Sequence, residues 1–260
     1  MSNNIAILGA GVSGIGAAIL ASNKNYNVFV SDSNSIDKKN KKVLDNHNIA
    51  WEENGHDLAK ILSSDLIIKS PGIPDHIDLI QKIIEKEISI ISEIEFASRF
   101  TQAKIVAITG TNGKTTTTLL IYKILNDAGY NVLVAGNIGL SFAAEISSHD
   151  YDFIVLEVSS FQLDNIVEFR PSISIILNIS EDHLDRYKNN FSNYVFSKLQ
   201  ITKNQTKKDF LIYNYDDTSL CDLKTNAKKI PISLKHKLNG DSGLYINNKI
   251  NINLNNKIMT

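Results

Sequence analysis

The stretch Ile-Thr-Gly-Thr-Asn-Gly-Lys-Thr-Thr-Thr-Thr, residues 108–118, decides the fold of the second half of this chain. A short apolar segment, Lys104–Ile108, leads into it and predicts a buried strand. The segment that follows, Thr116–Ala128, predicts a helix. A strand, a loop of small residues and a helix, in this order, are the parts of a loop that binds phosphate groups.

Each residue type in this loop has a physical role in binding a nucleotide. Gly110 and Gly113 allow a tight turn, so that successive backbone N–H groups can face phosphate oxygens at the positive end of the helix dipole. Lys114 can reach the β- and γ-phosphates, and the Thr115 hydroxyl can ligate Mg²⁺. The general pattern has glycine where this chain has Ile108, so a plain glycine turn between a strand and a helix is the alternative.

Composition is typical of a globular protein with one or two domains. The 260 residues are 43% hydrophobic and 21% charged, and the net charge of −1 without a basic stripe argues against nucleic-acid binding. The longest apolar runs, such as Ile173–Leu177, are too short to span a bilayer. The single cysteine, Cys221, cannot form an internal disulfide, and no signal segment precedes the first strand. We therefore expect a cytoplasmic protein without membrane insertion.

Strand-like and helix-like segments alternate from the start of the chain, which predicts an α/β fold with parallel sheets. The strands predicted in the first part are Ile5–Leu8, Val28–Ser31, Leu66–Ile68 and Ile88–Ile91. The helices predicted between them are Ser13–Ser22, Ser35–Asn46 and Ile77–Glu87. A polar break at Thr101–Ala103 predicts a boundary between a first domain, residues 1–101, and a second domain, residues 102–260.

The second domain repeats the α/β rhythm. Its predicted strands are Lys104–Ile108, Val132–Val134, Phe153–Glu157, Ile173–Leu177 and Phe210–Tyr213. A helix is predicted at Tyr194–Thr202. Alternating apolar residues on both sides of Asn247-Asn248-Lys249 predict a hairpin near the end of the chain.

The first domain has its own glycine loop. Residues Gly9–Gly14 read G-A-G-V-S-G and follow the first strand, and Asp32 lies about 20 residues on, where an acid can meet a ribose hydroxyl. This arrangement predicts a Rossmann-like site for a nucleotide diphosphate, and a glycine turn that serves packing alone is the alternative. The loop Lys69–Pro74 is expected at the same edge of the sheet, with an ordinary Pro-Gly turn as its alternative.

Two loops of the second domain carry acidic and histidine side chains directly after predicted strands. Glu157, in the run Leu156–Leu163, is placed to bind the metal that bridges nucleotide phosphates. His183 lies in the loop Asn178–Tyr187, among carboxylates and an arginine. Lys198 lies beside apolar residues on a predicted helix, and by itself it indicates only a solvated or snorkelling lysine.

Taken together, these motifs resemble the Mur ligases, the ATP-dependent amino-acid-adding enzymes of peptidoglycan synthesis. The resemblance is strongest to the branch that adds D-glutamate, and it covers the chain from Ile5 to about Leu199. The E-V-S-S-F-Q-L run and the S-E-D-H-L-D-R-Y run are more specific than either glycine loop. The matching stretches, in family order, are Gly9–Gly14, Ser70–Ile73, Ile108–Thr116, Gly136–Gly139, Glu157–Leu163, Asn178–Tyr187 and Lys198-Leu199.

The resemblance implies a set of ligand contacts. In the first domain, the UDP part of the substrate would meet Val12, Ser13, Asp32, Ser33 and Gly72. Between the domains, Asn137, Ser159 and Gln162 would position the substrate. In the second domain, ATP would bind Gly110, Thr111, Asn112, Gly113, Lys114, Thr115 and Thr116. One departure is Asn34, which stands where the family often has a basic residue.

The resemblance also implies two Mg²⁺ ions and three catalytic residues. Thr115 and Glu157 would hold the first ion, and His183 together with a carbamylated Lys198 would hold the second. Lys114, His183 and Lys198 would be the catalytic residues.

The implied reaction joins D-glutamate to UDP-N-acetylmuramoyl-L-alanine through an acyl phosphate made from ATP, in a monomeric enzyme. The family's third domain, which docks D-glutamate, has no counterpart among the motifs of this sequence, so we expect a shortened ligase that completes no reaction alone. Two alternatives stay open at this point. An NAD(P)-dependent oxidoreductase would explain the first glycine loop and Asp32, and a non-catalytic module could bind a UDP-sugar.

Overall fold

The computed structural model describes residues 3–238, 240, 242–246, 249–254 and 257–259. By compactness the chain divides into two units. The first consists of Met1–Ala103, Leu133–Tyr151 and Phe161–Phe169, and the second of Lys104–Val132, Asp152–Ser160 and Arg170–Thr260. Leu133–Tyr151 and Phe161–Phe169 are thus grouped with the first hundred residues. The domain boundary at residues 101–102 stays a prediction.

The sheet of the first unit has the strand order of a Rossmann-like fold. Its strands are β1 (Asn4–Leu8), β2 (Asn27–Ser31), β3 (Ala50–Glu52), β4 (Leu66–Lys69) and β5 (Ser89–Ile91). They are all parallel and lie in the order β3-β2-β1-β4-β5. The predicted Rossmann-like fold is therefore confirmed, and β3 is a strand that the sequence pattern did not predict.

Helices cover this sheet because their apolar residues pack on the strands. They are α1 (Val12–Asn23), α2 (Lys38–Asn46), α3 (Leu58–Leu62), α4 (Asp78–Glu85) and α5 (Glu93–Ser98). Ile61, Ile80 and Ile83 are fully buried against Ala6 and Ile67 of the sheet. The predicted helix at Ser35 begins later, at Lys38, because the Asp37 side chain accepts the N–H of Lys39 at 2.7 Å and caps the helix there.

The remaining elements follow in chain order. They are β6 (Lys104–Thr109), α6 (Lys114–Asp127), β7 (Val132–Gly136), α7 (Phe142–Ile146), β8 (Phe153–Glu157), α8 (Ser160–Leu163), β9 (Ile173–Ile176), α9 (Phe191–Leu199), β10 (Phe210–Asn214), β11 (Lys228–Ser233), β12 (Ser242–Ile246), β13 (Lys249–Leu254) and β14 (Lys257–Met259). Short 3₁₀ helices lie at Leu184–Tyr187, Gln200–Thr202 and Thr218–Leu220.

The second unit contains a mixed sheet in which the phosphate-loop strand, β6, lies between β9 and β8. Its strands lie in the order β14-β13-β12-β11-β10-β9-β6-β8, parallel from β8 to β12 and antiparallel from β12 to β14. Val106, Ile108, Val155 and Ile175 form its buried core. The predicted P-loop α/β fold is therefore confirmed.

The predicted hairpin is formed by β12 and β13, and β14 extends it by one strand. Lys249 pairs with Ile246 and belongs to the strand and not to the turn. Asn247 and Asn248, which were expected in the turn, lie outside the described residues. Among the helices that the structure describes, none has the length and apolar character needed to cross a bilayer.

Candidate functional site

The phosphate loop, residues 110–113 after β6, turns at Gly110. It does not need the earlier glycine of the general phosphate-binding pattern. Gly110 has φ 153°, and a Cβ atom on it would lie 3.1 Å from the Cβ of Leu177 and 3.2 Å from the carbonyl oxygen of Asn178. A side chain at this position would therefore strain the backbone and press on the neighbouring loop. Ile108, where the general pattern has glycine, is a fully buried strand residue. The departure from the pattern thus falls in the strand, before the turn begins.

Two N–H groups of the loop already have partners in the protein. The N–H of Thr111 donates to the carbonyl of Asn178 at 2.8 Å, and the N–H of Asn112 donates to the Asn178 side chain at 2.9 Å. The side-chain amide of Asn178 donates in return to the carbonyl of Asn112 at 3.0 Å. Asn178 therefore shapes the phosphate loop, a role for which its place after a strand gave no specific signal.

The start of α6 supplies the remaining donors. The N–H groups of Lys114, Thr115 and Thr116 have no intrahelical acceptor, because they lie in the first turn of the helix. The N-cap residue is Gly113, which has no side chain that could accept from them. The ammonium of Lys114 folds back on the loop and donates to the carbonyl of Thr111 at 2.8 Å. The helix N-terminus and this cation together favour an anionic ligand.

Thr115 and Glu157 meet at the ends of neighbouring elements. The Thr115 hydroxyl donates to Oε2 of Glu157 at 2.7 Å. β6 and β8 are paired so that Ile108 lies opposite Glu157, and the carboxylate is 2% exposed. A hydroxyl and a buried carboxylate are oxygen ligands of the kind that Mg²⁺ prefers. The sequence placed these two residues at one site, and the structure brings them into contact.

Lys198 contacts the phosphate loop from α9. Its side chain is buried, its Nζ donates to the carbonyl of Gly110 at 2.9 Å, and it lies 4.5 Å from the centroid of the Tyr194 ring. The solvated lysine indicated by the local sequence is therefore wrong, because α9 directs this side chain at the loop and not at water. Tyr194, which the sequence analysis missed, also lies with its hydroxyl 3.3 Å from Oγ1 of Thr111, and burial raises the pKa of its phenol.

His183 lies on the loop that follows β9. It has a left-handed backbone, with φ 49°, and its side chain is 57% exposed with Nε2 3.6 Å from Asp182. The same loop is tied to the phosphate loop, since the N–H of Ser180 donates to Oγ1 of Thr111 at 3.0 Å. In the part of the chain that the structure describes, no group of three or more His, Cys, Asp and Glu side chains is placed to hold a metal ion.

In the first unit, the glycine loop and Asp32 form one structure. A Cβ on Gly14 would lie 1.8 Å from the carbonyl oxygen of Gly9, so only glycine lets α1 approach the loop. Oδ2 of Asp32 accepts the N–H of Ala10 at 2.8 Å, and Oδ1 accepts the N–H of Asn34 at 2.9 Å. Each oxygen of this carboxylate therefore already holds one backbone group beside the predicted nucleotide site.

The loop after β4 lies beside this site, as predicted. The N–H of Ser70 donates to the carbonyl of Leu8 at 3.0 Å, which joins the loop to the end of β1. Lys69 is buried, and its ammonium donates to the carbonyl of Ile73 at 2.8 Å and pairs with Asp75 at 2.7 Å. This lysine, which the sequence analysis passed over, fixes the turn that carries the predicted contact at Gly72.

The remaining predicted contacts differ in exposure. Val12, Ser33, Gly72 and Asn137 are exposed, Ser13 and Ser159 are half-buried, and Gln162 is buried. Asn137 and Gln162 belong to the first compact unit and Ser159 to the second.

Known protein families match both parts of the chain. A model of the Mur ligase middle domain matches residues 108–257, and a model of the MurD N-terminal domain matches residues 4–79. The chain is 46% identical to the UDP-N-acetylmuramoylalanine--D-glutamate ligase of Christiangramia forsetii, covering 100% of this chain and 59% of that protein. It is 53% identical to the ligase of the same name from Bacteroides fragilis, covering 82% of this chain and 48% of that protein.

The chain thus spans between 48% and 59% of the length of these relatives. A solved structure with a similar fold is UDP-N-acetylmuramate:L-alanyl-gamma-D-glutamyl-meso-diaminopimelate ligase from Neisseria meningitides, with a TM-score of 0.62 at 19% identity, covering 99% of this chain and 86% of that one. These relatives support neither the oxidoreductase nor the non-catalytic module. The middle-domain model matches more than half of the residues, and the chain belongs to the Mur ligase family.

Proposed function

We propose that this chain is the UDP-substrate-binding and ATP-binding part of a ligase that joins D-glutamate to UDP-N-acetylmuramoyl-L-alanine in peptidoglycan synthesis. The observation that carries the proposal is the contact between Thr115 and Glu157, at 2.7 Å, beside a phosphate loop whose Gly110 carbonyl accepts from the buried Lys198. The names of the two relatives with 46% and 53% identity support the same activity.

ATP is proposed to bind at the start of α6. The free N–H groups of the first helical turn would face its phosphates, and Lys114 would leave the Thr111 carbonyl to neutralise the β- and γ-phosphates. The residues present fit a magnesium ion, because the Thr115 hydroxyl and the Glu157 carboxylate are already adjacent hard oxygen ligands. When bound, Mg²⁺ would reduce the repulsion between an anionic nucleophile and the phosphates.

A second ion is proposed to bind through His183 and a carbamylated Lys198. As an ammonium, Lys198 would repel a cation. Addition of CO₂ to the neutral amine nitrogen forms an N–C bond, releases one proton and leaves a carboxylate in place of the positive charge. Its burial beside the Gly110 carbonyl supports this assignment, because the new carboxylate would lie next to the phosphate loop.

The proposed reaction activates a carboxylate as an acyl phosphate. The alanyl carboxylate attacks the γ-phosphorus of ATP, and ADP leaves. The amine of D-glutamate then attacks the acyl carbon, and the tetrahedral intermediate loses phosphate and a proton to give the amide. Lys114 would stabilise the negative charge on the transferred phosphoryl group. D-glutamate is proposed to dock on a further domain of the kind that the resemblance implies.

The UDP part of the substrate is proposed to bind at the carboxyl edge of the first sheet, with Val12 and Ser13 at the start of α1 and Gly72 on the neighbouring loop. The exposure of Val12 and Gly72 supports this placement, since both are open to a ligand. Asp32 and Ser33 would complete the site beside the second strand, and Asn137, Ser159 and Gln162 would position the rest of the substrate. A monomer acting in the cytoplasm, where ATP is available, is part of the same proposal.

Calorimetric titration of this chain tests the proposal. UDP-N-acetylmuramoyl-L-alanine and a non-hydrolysable ATP analogue with Mg²⁺ should each bind saturably, and NADH should not. Lys114→Met should weaken the ATP analogue at least about tenfold, the effect of removing one charge-assisted contact. Lys123→Met is the matched control, because Lys123 lies exposed on the same helix and pairs with Asp127. Binding of NADH in place of the UDP compound would overturn the assignment.

A further inference from the structure

Three side chains joined by hydrogen bonds, those of Glu52, Ser31 and His56, lie at the carboxyl edge of the first sheet. They are not among the contacts described so far. Ser31, the last residue of β2, is fully buried, and its hydroxyl donates to Oε1 of Glu52 at 2.6 Å. Nδ1 of His56 lies 2.6 Å from the same Ser31 oxygen. Oε1 of Glu52 also accepts the N–H of Asp57 at 2.7 Å. Because two groups donate to this one oxygen, Glu52 is the acceptor at the end of the hydrogen-bonded series.

The direction of these hydrogen bonds determines the state of the imidazole. The single hydroxyl proton of Ser31 is used on Glu52, so toward His56 the Ser31 oxygen can only accept. Nδ1 of His56 must therefore carry a proton. In the neutral ring this leaves Nε2 with its lone pair, as a hydrogen-bond acceptor. His56 is half-buried, and its Nε2 makes no hydrogen bond within the described part of the chain.

The loop that carries His56 is tied to the predicted nucleotide site. The N–H of Gly55 donates to the carbonyl of Asp32 at 3.3 Å, and the N–H of Asn54 donates to the carbonyl of Asn34 at 3.2 Å. Asp32 in turn holds the glycine loop through the N–H of Ala10. His56 is thus fixed next to the ends of β2 and β3, where the nucleoside lies in open parallel sheets of this order.

We propose that His56 is a substrate-binding residue that accepts, at Nε2, a hydrogen bond from the nucleoside of the UDP substrate. This inference rests on the proposed function. The groups of uridine that can donate such a bond are the two ribose hydroxyls and the N3–H of uracil. The hydrogen-bonded pair of Ser31 and Glu52 holds the acceptor in one tautomer, so that the site offers a lone pair to a donor and disfavours a ligand that presents only acceptors there.

Two amide substitutions test the roles of Nε2 and Nδ1 of His56 separately. Asparagine in His56→Asn can reach Ser31 with its amide N–H but has nothing at the position of Nε2. Glutamine in His56→Gln can place its carbonyl oxygen near the position of Nε2 but loses the bond to Ser31. In calorimetric titration with UDP, we expect His56→Asn to bind about fivefold more weakly than the unmodified chain, and His56→Gln to stay within about twofold of it.

His47→Asn is the matched control, because His47 lies in the same unit with its Nδ1 bonded to the carbonyl of Val43 at the end of α2. It should bind UDP as the unmodified chain does. Circular dichroism and thermal unfolding of all three variants show that each is folded at the titration temperature. If His56→Asn unfolds, the analogues of UDP still decide on the unmodified chain, since equal binding of UDP and of every analogue that lacks one donor would contradict a role for Nε2.

Analogues of UDP identify the donor. Titrations with 2′-deoxy-UDP, 3′-deoxy-UDP and N3-methyl-UDP each remove one donor from the ligand. One of them should bind the unmodified chain and His56→Asn equally, because the bond to Nε2 is then absent from both complexes. Undiminished binding of UDP by His56→Asn would overturn the inference and leave the proposed function intact. Failure of the unmodified chain to bind UDP would overturn both.

Discussion

Replacing Glu95 with glutamine should loosen one segment of the first compact unit. The Glu95 side chain is fully buried on α5, and its Oε2 accepts the backbone N–H groups of Val167, Glu168 and Phe169 at 2.9, 3.0 and 2.7 Å. Its Oε1 accepts two N–H groups of Arg99, at 2.8 and 3.1 Å. One carboxylate therefore fixes a turn that lies in sequence between two segments of the second unit, Asp152–Ser160 and Arg170–Thr260, and yet packs with the first hundred residues.

The magnitude follows from the number of bonds that change. A hydrogen bond to a charged acceptor contributes about 1.5–3 kcal/mol, and one to a neutral acceptor about 0.5–1.5 kcal/mol. Three N–H groups facing a carboxamide oxygen therefore lose about 1 kcal/mol each. The amide NH₂ of Glu95→Gln would then face the guanidinium of Arg99, and loss of that half-exposed pair adds about 1 kcal/mol. We expect a local destabilisation of about 4 kcal/mol.

Amide hydrogen exchange measures this directly. The N–H groups of Val167 and Phe169 should exchange about a thousandfold faster in Glu95→Gln, the equivalent of about 4 kcal/mol. Glu168→Gln is the control, because the Glu168 carboxylate is 76% exposed and lies 4.0 Å from Arg99. This change should cost less than about 0.5 kcal/mol. If amide exchange in Glu95→Gln rises by less than about tenfold, the conclusion that the Glu95 carboxylate fixes this turn is refuted.

Three further predictions concern buried charges. Burial raises the pKa of Glu93 above its ordinary 4.5. The free energy of unfolding of the wild type should therefore fall as pH rises from 4.5 through the folded pKa. Urea unfolding of Glu93→Gln should not show this fall. Burial raises the pKa of Asp209, but hydrogen bonds from Arg170 and a nearby threonine outweigh it and leave the pKa below 3.8. Asp209→Asn should therefore lower the free energy of unfolding by about 1–3 kcal/mol at neutral pH, and the difference should vanish as pH falls through the folded pKa. Lys69→Met should remove the bond to the Ile73 carbonyl, cost about 1–2 kcal/mol and speed amide exchange in that turn; unchanged exchange there would contradict its role.

The glycine loops were predictable because their residue types and their geometry are tightly linked. Gly14 and Gly110 occupy positions where a Cβ would collide with backbone or a neighbouring side chain, so the pattern of glycines reports the fold directly. The strand before each loop is short and apolar, as a strand buried on both faces must be. The contact between Thr115 and Glu157 followed from the same rule, since the ends of parallel strands share one edge of a sheet.

The elements that were not predicted are short, or carry residues that contradict the local pattern. β3 has only three residues, Ala50–Glu52, and the first turn of α5 contains two buried glutamates, Glu93 and Glu95. β11 contains Pro231, which argues against an inner strand. It is tolerated because pairing with β12 starts only at the following residue, Ile232. In each case a contact distant in sequence determines the structure, and no local period reports it.

Charged side chains that hold the backbones of loops explain why the site geometry could be predicted only in part. Lys198 donates to the carbonyl of Gly110, Lys69 donates to the carbonyl of Ile73, and Asp32 accepts a backbone N–H of the first glycine loop. Each of these charged groups holds, by its backbone, a loop of a proposed nucleotide site. A loop fixed in this way loses less conformational entropy when a nucleotide binds than a loop that must first become ordered. Substitutions at these positions should therefore weaken binding even where the loop's own residues are unchanged, and the motif alone cannot reveal which distant side chain holds it.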